Sequence, residues 1–69
     1  MNMNEIRKQA TDLQIQKLSS LITLSKKLGN SGEILFAQFS EHGVLGVGYE
    51  GIGGSYQFVM IGKRGAEVK

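Results

Sequence analysis

A chain of 69 residues with no cysteine and a single histidine has room for one domain, and it has neither disulfides nor a histidine–cysteine metal site to hold that domain together. Eight lysines and arginines against six acidic residues leave a net charge of +2, which permits a polyanionic partner without demanding one. The apolar runs fall far short of the roughly 20 residues that span a bilayer, and Met1-Asn2-Met3-Asn4-Glu5 lacks the basic start and apolar core of a secretion signal, so a cytoplasmic protein with no membrane partner is expected.

From Met3 to Leu28 there is neither proline nor glycine, and Leu, Ile, Gln, Lys and Ala dominate, which predicts one long helix over residues 3–28. Asn2 is placed to cap it with Glu5 three residues on, Lys26 and Lys27 suit its carboxyl end, and Gly29 stops it. At about 100° per residue, Met3, Ile6, Ala10, Leu13, Leu21, Leu24 and Leu28 share one stripe, expected to face the core. Ile15, Leu18 and Ile22 make a second stripe, roughly 60° to 180° around the helix. Such a helix would run about 39 Å, against about 23 Å for a strand of some seven residues. The expected overhang assigns Ile15, Leu18 and Ile22 to an interface between subunits, with a closed two-fold homodimer as the default.

Asn30-Ser31-Gly32 signals a turn, and three strands follow, over residues 33–40, 44–50 and 55–62. In the first, Ile34, Phe36 and Gln38 alternate with Leu35, Ala37 and Phe39, so both faces are apolar and both call for cover. Ser40-Glu41-His42-Gly43 fits a type I turn closed by a left-handed glycine. The second strand sets Leu45, Val47 and Tyr49 on one face and leaves Gly46 and Gly48 bare on the other, where something bulky should lie. The third sets Tyr56, Phe58 and Met60 opposite Gln57, Val59 and Ile61. Residues 63–69 are polar and are expected to fray. Short connections make the strands neighbours in the order 1-2-3, an α+β domain of one helix on an antiparallel meander.

Chemistry is sparse. Gly46-Val47-Gly48-Tyr49-Glu50-Gly51 spells the dinucleotide fingerprint, but the fingerprint works only where a helix opens from it, and none is expected here. The loop from Gly51 to Ser55 could instead turn backbone amides toward a phosphate, although a plain hairpin connection is the simpler reading. His42 sits at a turn beside Glu41, with no cysteine and no His or Asp cluster of metal spacing to join it. Glu41 and Glu50 fall near opposite ends of the second strand, too far apart for an acid–base pair. No enzyme, cofactor or metal site is therefore expected.

The reading that remains is a non-catalytic protein-binding module, homodimeric, comparable in size and style to small phage or mobile-element inhibitors and adaptors. Its contacts are expected at Tyr49, Gly51, Ile52, Gly53, Gly54, Ser55 and Tyr56. Two other readings compete with it. A nucleic-acid binder would use Lys26, Lys27, Lys63 and Arg64, with Phe36, Phe39, Tyr49, Tyr56 and Phe58 as stacking surfaces; the rival role for those rings is the core. A sequestering oligomer for a small phosphorylated ligand would use the glycine loop.

Overall fold

A computed structural model describes residues 3–68, with Ile52 described in its backbone alone, so the expected Asn2 cap and Lys69 at the end of the tail lie outside the described residues. The architecture is the expected α+β arrangement, with helices first and then a three-stranded antiparallel sheet in the order 1-2-3. Its elements are α1 (Met3–Gln9), α2 (Asp12–Lys27), β1 (Ile34–Phe39), β2 (Leu45–Glu50) and β3 (Tyr56–Ile61), with a 3-10 turn, Ile52–Gly54, between the last two.

The single long helix is in fact two. Thr11 leaves the helical conformation (φ −75°, ψ 161°) and caps α2. Its hydroxyl accepts from the Gln14 amide at 3.2 Å, and the Gln14 side-chain oxygen accepts from the Thr11 amide at 2.9 Å, a reciprocal capping box. The same hydroxyl donates to the Lys63 carbonyl at 2.7 Å, which fixes where the break falls against the sheet. Thr11→Ala is expected to lose about 1–2 kcal/mol, read as a lower urea midpoint at unchanged slope. An unmoved midpoint would show that something else holds the break.

The break also removes the overhang. At 16 residues α2 is about 24 Å long, close to the length of the strands beneath it. It is no longer in phase with α1, so the stripe extrapolated from Met3, Ile6 and Ala10 does not continue. Leu13, Leu24 and Leu28 are exposed. The face that meets the sheet carries Gln14, Leu18 and Ser25, turned about 75° from the expected one, with Ile15, Leu21 and Ile22 packed beside it. Leu18, expected at a subunit interface, is wholly buried in this chain's own core, and Ile15 and Ile22 pack partly buried against it. At the far end Gly29 (φ +87°) stops α2 as expected: the Asn30 amide donates to the Ser25 carbonyl and the Gly29 amide to that of Lys26.

Two polar side chains tie α2 down. The buried Gln14 amide donates to the carbonyls of Gly43 (2.8 Å) and Ile61 (3.1 Å), and the buried Ser25 hydroxyl donates to the Glu50 carbonyl (2.7 Å). Around them the core closes with Ile6, Leu18, Leu45, Val47, Tyr49 and Ile61, each fully buried aliphatic side chain contributing about 1.5–3 kcal/mol.

The first strand departs from its expected alternation. Ile34 pairs with Tyr49 and Phe36 with Gly48, so a bulge at Leu35 takes up one extra residue. Ile34 thereby joins Ala37 and Phe39 on the helix side, while Phe36 and Gln38 turn outward. The Ser40–Gly43 turn forms as expected, with Gly43 at φ +81° and the Ser40 amide donating to the Val44 carbonyl.

The tail does not fray over the described residues. It folds back as a second small hairpin, with the Gly62 amide on the Ala66 carbonyl, an Ile61–Glu67 bridge and the Val68 amide on the Met60 carbonyl. Gly65 makes this fit: at φ +85° a Cβ there would stand 2.9 Å from the Leu13 carbonyl oxygen.

Candidate functional site

The helices cover one face of the sheet and leave the other open. From the pairing, the outward positions are Phe36 and Gln38 on β1, Gly46, Gly48 and Glu50 on β2, and Tyr56, Phe58 and Met60 on β3. The bare glycine strip is filled by aromatic rings from β3. Phe58, paired with Gly48, leans along the strand until its ring lies 3.2 Å from where a Gly46 Cβ would be; Tyr56, paired with Glu50, likewise lies over Gly48. Phe36 meets Phe58 from the other side at 6.4 Å between centroids, tilted 36°, a pairing worth about 0.5–1.5 kcal/mol.

These rings cover the glycines but are themselves uncovered: Phe36 is 42%, Phe58 53%, Tyr56 56% and Met60 38% exposed. Between them, toward the first turn, opens a groove of about 190 Å³ lined by Phe36, Gln38, Ser40, Gly46, Phe58 and Met60. Glu50, at the far end, is the only charged residue among the outward paired positions, and its carboxylate accepts from the Ser31 hydroxyl at 2.6 Å.

The expected contact residues divide. Tyr56 lies on this face. Tyr49 does not; with Leu45 and Val47 it points into the core, 7% exposed. Burial first, and the Glu67 carboxylate second, push its phenol above the usual value, so it stays protonated through the neutral range. Gly51 is buried under the Gln57 side chain, while Gly53, Gly54 and Ser55 are exposed. That loop spends amides on itself, Gly51 to the Ser55 carbonyl and Gly54 to the Gly51 carbonyl, and the Glu50 carboxylate stands near Gly54. A phosphate there would meet a negative charge and fewer free donors than the glycines suggest.

The cations lie elsewhere. Lys26 and Lys27 end α2, in the helical layer on the opposite side of the sheet. Lys63 lies along Gly43 and holds Thr11 through its carbonyl, and Arg64 follows in the tail turn. His42 and Glu41 meet at 3.4 Å, a fully solvated contact at the first turn. Among the described residues no group of three His, Asp or Glu side chains is placed to hold a metal, and no helix is long and apolar enough to cross a membrane.

Phe36 and Phe58 were expected only as stacking rings of the nucleic-acid alternative, and Met60 was not among the expected contacts. The signal was present for all three: Phe58 and Met60 share parity with Tyr56, and Phe36 with Gln38, opposite the glycines of the second strand. Comparison with protein-family models, with curated proteins and with solved structures finds no match.

Proposed function

We propose that this chain is a non-catalytic protein-binding module of the small inhibitor or adaptor kind, which works by laying its outer sheet face on an apolar surface of a protein. One observation carries the reading: four large apolar side chains stand exposed and contiguous on a face whose paired positions hold a single, already hydrogen-bonded carboxylate. On monomeric proteins a contiguous apolar patch of a few hundred Å² is often the functional surface. A nucleic-acid reading would need cations interleaved with the rings, and Lys26 and Lys27 belong to the opposite layer.

Two measurements test it. Immobilised chain should capture protein from its source cells, and Phe36→Asp, which charges the rim of the face without opening the core, should reduce capture at least tenfold, about 1.4 kcal/mol or more. Titration with mixed DNA and RNA should show no steep salt dependence. A steep salt slope together with capture indifferent to Phe36→Asp would replace this reading with the nucleic-acid one.

A further inference from the structure

We infer that the outer faces of two copies close on each other, making a two-fold, face-to-face homodimer of α/β/β/α layers. The inference rests on the outer face being a protein-docking surface and names its occupant. It is not the interface expected from Ile15, Leu18 and Ile22, of which Leu18 is wholly buried inside the chain.

Area is the first ground. Large side chains such as Phe36, Tyr56, Phe58 and Met60 present about 150–250 Å² each when free, so at half exposure the four leave about 400 Å² per copy; Gln38 and the groove floor bring a pair to about 1,000 Å², the lower bound for a specific interface. Charge is the second. A self-complementary face must not oppose like charges, and apart from Glu50, held by Ser31 at one end, the outward paired positions are neutral. Shape is the third. The rings lie low over Gly46 and Gly48, so two sheets can approach to the usual ~10 Å spacing, with strands aligned within about 30°.

Of the two-fold axes that bring the outer faces together, one running across the strands matches ring to groove. A two-fold axis running across the strands near the Gly48–Phe58 pair sets the Tyr56 end of one β3 over the Met60 end of the other. The groove opens at that Met60 end, so each copy's Tyr56 ring enters the groove of its twin, against a thioether that favours aromatic contact. Any other protein that takes this face must compete with the twin.

Sedimentation equilibrium of the full chain from about 5 µM to about 500 µM should show association to twice the 7.5 kDa chain mass. Met60→Lys and Tyr56→Ser, each checked for an unchanged far-ultraviolet spectrum, should each weaken association at least tenfold, whereas Leu24→Lys on the exposed side of α2 should leave it unaltered. Should Met60→Lys fail to fold, Tyr56→Ser, at a mostly exposed ring, decides alone. A chain that stays monomeric throughout, or association that Leu24→Lys abolishes and Tyr56→Ser does not, overturns the dimer. A monomer that still captures another protein in a Phe36-dependent way overturns the dimer and leaves the docking surface standing; a monomer that captures nothing removes both.

Discussion

Leu18→Ala is expected to destabilise the domain by about 2–5 kcal/mol, enough to leave a large fraction unfolded. A domain of this length holds about 3–10 kcal/mol in total. Leu18 is fully buried, and around it pack Ile15, Ile22 and the aliphatic side chains of β2 and β3, so its removal takes contacts from both layers. Urea unfolding followed by circular dichroism reads the effect directly. The experiment also separates the two placements of the second helical stripe. If Leu18 served only an interface between subunits, the substitution would lower the association constant and leave the unfolding of dilute chain where it was. A loss under about 1 kcal/mol would remove Leu18 from the core.

Gln14→Leu is expected to cost about 2–4 kcal/mol although it places an apolar side chain of similar size in an apolar layer. The leucine gains hydrophobic area. Against that gain, the Gly43 and Ile61 carbonyls lose their shared donor and the Thr11 amide its acceptor, and each buried polar group left unpaired costs about 1–3 kcal/mol. Gln14→Glu keeps the acceptor and points a carboxylate at two carbonyl oxygens, so at neutral pH it should fall further still. Urea midpoints of the two variants, ordered wild type above Leu above Glu, check the account; a leucine variant as stable as the parent would mean that the two carbonyls find other donors.

The parts of the fold legible in the sequence are those written in local chemistry. Gly29 ends α2, Ser40 to Gly43 turns the chain, and the alternation of Leu45, Val47 and Tyr49 with glycine sets the two faces of β2. The break at Ala10 and Thr11 had its own local sign, the Thr11-x-x-Gln14 box, but strong helix formers on both sides and an in-phase stripe from Met3 to Leu13 masked it. The bulge at Leu35 has no such sign. One extra residue in one strand exchanges the faces of everything beyond it, and the decision lies in the pairing with β2, which no window along β1 contains. That single shift carries Ile34 to the helix side, apart from Phe36 and Gln38. The glycine loop is the converse case: its composition suggests open amides, and its hydrogen bonds to itself close some of them.

The interruption between α1 and α2 divides the molecule by strength of attachment. Gln14 and Ser25 bolt the longer helix to three separate strand or turn carbonyls, so it cannot lift without stranding all of them. The seven residues of α1 are anchored by one wholly buried side chain, Ile6, with Met3 and, just beyond the helix, Ala10 packed partly buried against the core. Two tiers of attachment follow: a leading arm held by apolar contacts about Ile6, and a body whose polar ties release only as a unit.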